Sequence, residues 1–148
     1  MLIAETRLPG MDVLDAVALY HELRRERDAG ATLSAYEEEM LHVVRDLLEP
    51  VRVAATGARR ELLRLATNRQ ATIAADGRLV RGRVVELTLH TLDVVTAEPL
   101  PHGDRVALSV DGEGPARRRF FSGRVVRRAP AARATVAFVP ARVLDRGE

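Results

Sequence analysis

Every basic side chain in this sequence that is charged at all ordinary pH values is an arginine: there are 23, and no lysine. A guanidinium is a planar fork matched to phosphate and carboxylate, although a GC-rich genome also favours arginine over lysine. The densest run is Arg117-Arg118-Arg119-Phe120-Phe121, followed by Arg124, Arg127 and Arg128. Cations beside aromatics can neutralise and stack on a nucleic-acid strand, a reading that a steep salt dependence of binding would support. Alternation along a strand turns successive arginines to opposite faces and dilutes such a patch. Attraction to an acidic protein surface is the better use, with Arg117, Arg118, Arg119, Arg124 and Arg127 as a partner-binding face. Arg59, Arg60 and Arg64 form a second group, separated by Glu61; at helical spacing these residues would make a solvated face. Residues 86–91, Glu-Leu-Thr-Leu-His-Thr, collect a carboxylate, two hydroxyls and an imidazole.

Four histidines stand at positions 21, 42, 90 and 102. Glu38 and His42 lie one helical turn apart, a metal-ligand spacing, but no third ligand is near in sequence and a solvated helix face is the simpler reading. The absence of cysteine excludes disulfides, thiolate metal sites and a cysteine nucleophile. No nucleophile elbow, phosphate-binding glycine loop, dinucleotide fingerprint or zinc-binding helix is present. The expectation is a protein with neither catalytic residues nor a metal.

The elements that must position these groups divide the chain in two. Residues 1–56 carry 6 arginines against 11 acids, a net of −5, while residues 57–148 carry 17 against 10, a net of +7. Residues 12–28 read as a helix with a stripe of Val13, Val17, Tyr20 and Leu23, Asp12 as N-cap and Gly30 beyond its end. A second helix is expected at about 34–49, opened by a Ser34–Glu37 capping box. Its stripe is Tyr36, Met40, Val43 and Leu47, and Pro50 stops it. Two helices alone rarely bury enough surface to be stable. Their apolar faces, Val13, Val17, Tyr20, Tyr36, Met40, Val43 and Leu47, are therefore expected to pair with a second copy in a homodimer.

Residues 51–64 are ambiguous, with room for a short helix around 58–65. From about residue 68 the pattern becomes short strands, near 69–75, 79–88, 91–97, 104–111, 117–128 and 133–139, separated by turn residues such as Asp76-Gly77 and Ala129-Pro130. A hydrophobic content of 47% supports a core, which 3% aromatics must leave mostly to Val, Leu and Ala. Six strands in so short a span argue for a small antiparallel barrel or sandwich. No apolar run reaches membrane-spanning length and no signal-peptide pattern opens the chain, so a cytoplasmic protein is expected.

The order of these signals resembles the PilZ domain, a bacterial six-stranded barrel known as a cyclic di-GMP receptor. Such domains open with R-x-x-x-R, here Arg60 and Arg64, and carry a D/N-x-S-x-x-G strand about twenty residues later. The segments AEPLPHGDRVALSV, FFSGRVVRR and ATVAFV then follow in the family's order. Behind the helical hairpin over residues 1–57, the resemblance implies a six-stranded antiparallel PilZ-like barrel over 58–148, which makes an α+β chain. It also implies a ligand site of Arg59, Arg60, Arg64, Glu86, Thr88 and Thr91, with the arginines clamping phosphates and stacking on guanine.

All three key positions of the strand motif differ. Glu86 is one methylene longer than Asp, Thr88 adds a methyl to Ser, and Thr91 stands where glycine would accept positive φ. Weak or absent cyclic di-GMP binding is expected, and no other cofactor. The function that follows is a non-catalytic adaptor or regulator of type IV pili, motility or polarity; a true cyclic di-GMP receptor and a nucleic-acid-binding barrel are the alternatives.

Overall fold

The computed structural model describes residues 2–4, 12–100, 105–112, 118–130 and 132–138. Arg117, His102 and the outer ends of two expected strands, at 104 and 139, lie outside these residues. The first helix, α1 (Val13–Asp28), begins where the Asp12 side chain accepts from the Leu14 N–H, and Gly30 follows its end at φ +98°. The second, α2 (Ala35–Leu48), opens with the reciprocal capping box: the Glu37 N–H donates to Ser34 Oγ and the Ser34 N–H to Glu37 Oε1, at 3.1 and 2.8 Å.

No helix forms around 58–65. Val51–Ala54 (β2) and Gly57–Arg60 (β3) pair as an antiparallel hairpin, with Ala55 and Thr56 between the end pair Ala54 and Gly57. Gly57 sits at φ +114°, a conformation that costs glycine little and that does not fit a helix. The Val-Arg-Val alternation before it suits a ribbon. Backbone bonds from Glu61 N–H to Pro50 O and from Leu63 N–H to Leu48 O tie the hairpin to the end of α2.

Six antiparallel strands then close a barrel: β4 (Arg64–Ala75), β5 (Arg78–Leu87), β6 (Thr91–Thr96), β7 (Arg105–Asp111), β8 (Arg118–Ala129) and β9 (Arg133–Phe138). The order around it is β4-β5-β6-β9-β8-β7, and β7 returns to β4 with Ile73 opposite Leu108. A further strand, β1 (Leu2–Ala4), runs parallel to the start of β4 and was not expected from the sequence. The fold is the one the strand pattern implied: two helices followed by a closed six-stranded antiparallel barrel.

The core is one cluster of buried side chains. The barrel contributes Ile73, Val84, Leu92, Leu108 and Val136, α1 contributes Leu14, Val17 and Leu23, and α2 contributes Leu41, Val44 and Leu48. Here the α1 part of the expected dimer face needs correction. Val13, Val17 and Tyr20 are buried within this chain and offer no surface to a second copy. The apolar face of α1 packs on the barrel because the barrel supplies the area that two helices lack. Two ion pairs fix that docking: Arg69 on β4 with the Asp12 cap, and Arg119 on β8 with Asp15, each at 2.6 Å. Met40 packs partly against the same core, whereas Tyr36, Val43 and Leu47 remain exposed.

Candidate ligand site and basic face

The strand pairing decides what the arginine and carboxylate groups can reach. Leu65 and Ala66 on β4 lie opposite Leu87 and Glu86 on β5, which brings Arg64 beside Glu86. The Arg64 fork closes on that carboxylate through both of its arms, Nε to Oε2 at 2.8 Å and Nη2 to Oε1 at 2.9 Å. Its pKa is raised, chiefly by these hydrogen bonds and then by the carboxylate's charge.

On the other side Glu86 faces Asp93 of β6, two buried acids directly across a ladder. Such a pair repels unless it is neutralised. Arg133 on β9 supplies the second cation, with Nη2 at 2.9 Å from Asp93 and at 3.7 Å from Glu86, and the Thr135 hydroxyl donates to Asp93 at 2.8 Å. Two arginines and two carboxylates thus balance each other within the barrel wall.

The other expected ligand residues are not drawn into this cluster. Arg60, at the end of β3, turns toward α2 and donates to the Asp46 carboxylate at 3.0 Å and to the Glu49 carbonyl at 2.9 Å. Arg59 points to solvent, with no side-chain partner among the described residues. Thr88 and Thr91 close the turn between β5 and β6. Thr88 Oγ1 accepts from the N–H groups of His90 and Thr91, at 3.1 and 2.9 Å, and lies 2.9 Å from the Thr91 hydroxyl. Among the described residues only Asp76, Ala132 and three glycines have positive φ, so Thr91 does not need glycine's freedom.

Helix α1 lies over that turn. Leu89 is fully buried, and His21 Nε2–H donates to its carbonyl at 2.6 Å. The imidazole packs 4.9 Å from the Phe138 ring, which in turn lies 5.0 Å from Phe121. Burial pushes the pKa of His21 down from 6.5 to about 4 against the opposing effect of the Leu89 bond, with the charges of His90 and Arg24 adding to the drop. The ring therefore sits neutral, with its proton on Nε2.

The basic face is assembled differently from the run that suggested it. Arg118, Phe120, Ser122 and Arg124 alternate onto the outer face of β8, while Arg119 turns to Asp15. Arg127 is exposed beyond a register shift in the β8–β9 ladder. Barrel closure then adds residues that no single strand reveals. Arg105 lies opposite Arg124, and Arg81 and Arg83 stand on β5 opposite Thr72 and Gln70. Arg81, Arg83, Arg105 and Arg124 are exposed and form no ion pair among the described residues. Arg118 is held by Asp111 at 3.5 Å.

A closed six-stranded antiparallel barrel entered through an R-x-x-x-R segment, Arg60 and Arg64, has the architecture of a PilZ-like barrel. The PilZ domain family matches residues 58–147, well over half of the chain, and the chain belongs to that family. Among solved structures it is similar to the Bacillus subtilis inhibitor of motility (MotI/DgrA), at 13% sequence identity and a TM-score of 0.45. That alignment covers 62% of this chain and 50% of the other, so the chain spans about half the length of that protein. No curated protein matches. Among the described residues no helix is long and apolar enough to cross a membrane, and no group of three or more His, Asp or Glu is placed to hold a metal.

Proposed function

We propose that this PilZ-family protein is a non-catalytic cytoplasmic adaptor that regulates through protein contacts and binds cyclic di-GMP weakly or not at all. The observation that carries this reading is the bidentate Arg64–Glu86 pair. Nε and Nη2 of Arg64 are already engaged by Glu86, a buried carboxylate facing Asp93, so a bidentate clamp on a phosphate through that edge competes with the pair and only Nη1 stays clear of it. A ligand that drew Arg64 off Glu86 would strand negative charge in the barrel wall, and Arg133, at 3.7 Å from Glu86, would replace the lost contact only in part. Arg60 is engaged through Nη1 alone, by the exposed Asp46 carboxylate and the Glu49 carbonyl at the end of α2. Control of type IV pili, motility or polarity is what membership of the family suggests for such an adaptor.

A second reading, a true cyclic di-GMP receptor, is favoured by the exposure of Arg59 and Arg64, both reachable from solvent. Isothermal titration of the full chain with cyclic di-GMP, up to high micromolar ligand, separates the two. No saturable heat from a folded sample supports the adaptor. Saturation at low micromolar ligand, lost in Arg60→Ala or Arg64→Ala, establishes the receptor and overturns it.

A further inference from the structure

The exposed large hydrophobic side chains among the described residues fall into two groups. Tyr36, Val43 and Leu47 line the outer side of α2, with Val51 and Val53 following on β2. Leu79, Phe120 and Val126 stand on the barrel. Tyr36 is 72% exposed and Phe120 76%, and each stands among other exposed apolar side chains of its group.

The two groups have opposite electrostatic surroundings. Helix α2 carries Glu37, Glu38, Glu39 and Asp46 against Arg45 as its only arginine, and Glu39 is exposed with no cation partner among the described residues. The barrel group lies among the unpaired Arg81, Arg83, Arg105 and Arg124. It also borders a groove of about 600 Å³ between α1 and the outer faces of β4, β7 and β8. Ala74, Ala107, Ser109 and Ser122 form its floor, and Phe120 and Leu79 rise from it. A concave trough with a floor of small residues accepts a rod such as a helix, about 10 Å across, rather than a flat lipid surface. Its walls hold Glu22, Arg25, Arg118 and Arg119, the last two paired with Asp111 and Asp15. The positive charge therefore comes from Arg81, Arg83, Arg105 and Arg124 beyond the groove, which suits a partner of mixed charge with acids at its margin better than a polyphosphate.

We propose that this groove receives α2 of a second copy of the chain. Tyr36, Val43 and Leu47 meet Phe120 and the small-residue floor, and the acids of α2 face the barrel's arginines. The inference rests on the reading of the protein as one that acts through protein contacts, and names one such contact. It is heterologous, because the two surfaces differ, and each copy offers one of each. Packing α2 against α2 would set acids against acids and leave Phe120 uncovered; the groove contact covers both groups.

Sedimentation velocity on the full chain and two exposed-site variants, Tyr36→Glu and Phe120→Glu, tests the arrangement, with circular dichroism melts confirming that each variant folds. Wild type is expected to associate with rising concentration, less so in high salt. Each variant alone stays monomeric. Their equimolar mixture forms a species of twice 16.3 kDa that grows no further, because Phe120→Glu still supplies α2 and Tyr36→Glu still supplies the groove. If Phe120→Glu associates like wild type while Tyr36→Glu does not, the contact is α2 on α2 and the groove is not its seat. A wild type that stays monomeric into the hundreds of micromolar also overturns the inference. The nucleotide titration would then still decide the adaptor reading by itself.

Discussion

His21 should make the protein's stability depend on pH between about 4 and 6.5. Its ring is mostly buried, donates to the Leu89 carbonyl and titrates at about 4 in the folded chain instead of the ordinary 6.5. Because the folded-state pKa is depressed, the unfolded chain binds a proton between those values that the folded chain refuses. Stability is therefore fully present above pH 6.5, falls as pH drops through the window, and loses no more from this group below about pH 4. With these two pKa values the loss from pH 7 to pH 5 is about 2 kcal/mol, within a ceiling of about 3 kcal/mol. Urea unfolding at pH 7, 6 and 5 reads it as a falling midpoint at constant m-value. His21→Gln is the control: its amide can still donate to Leu89, but it cannot take up a proton. Wild type should converge on this variant's stability as pH falls, or drop below it, while the variant stays nearly flat. An equal pH slope in both proteins, or a His21 NMR titration near 6.5, would show that the imidazole is not held neutral by burial and refute the reasoning.

Two further perturbations test how the helix and barrel are held. Asp12→Asn keeps an oxygen to cap α1 but removes the charge opposite the buried Arg69. A loss of about 3 kcal/mol is expected in thermal or urea unfolding, and Asp12→Ala should cost about 1 kcal/mol more by removing the cap as well. Gly123→Ala places a Cβ 2.3 Å from Val136 Cγ1 and 2.9 Å from the Ala137 carbonyl, where β8 crosses β9. A destabilisation of about 1–3 kcal/mol should follow, and a neutral result would mean that the two strands can separate there without penalty.

What the sequence revealed is what local chemistry controls. Asp12 as cap, Ser34 with Glu37, and the alternation in β7 and β9 act within a few residues, so the helices and most strands could be placed from the chain alone. The 51–60 hairpin was missed because it turns on the positive φ of Gly57, against a following stretch that also has a helical spacing. The fate of the α1 stripe was hidden for a different reason. Val13, Val17 and Tyr20 declare an apolar face, but whether a second copy or the chain's own barrel covers it depends on Arg69 and Arg119 reaching Asp12 and Asp15 across 57 and 104 residues. The basic face likewise needs the closure of β7 on β4, which aligns Arg81 and Arg83 with the strands that carry Arg105 and Arg124.

The altered motif at 86–91 shows the same limit most clearly. Taken one at a time, Glu86, Thr88 and Thr91 look like three separate departures from a ligand strand. In the fold each has a use. The longer Glu86 side chain meets Arg64, Thr88 caps the turn that it forms with Thr91, and that turn presents the Leu89 carbonyl to His21. A Glu86→Asp, Thr88→Ser, Thr91→Gly change would therefore not simply restore a vacant receptor site. It would shorten the reach to Arg64, remove Thr91 Oγ1 from the Thr88 hydroxyl and loosen the turn beneath α1. The altered strand motif and the docking of the N-terminal helix are physically coupled through these six residues.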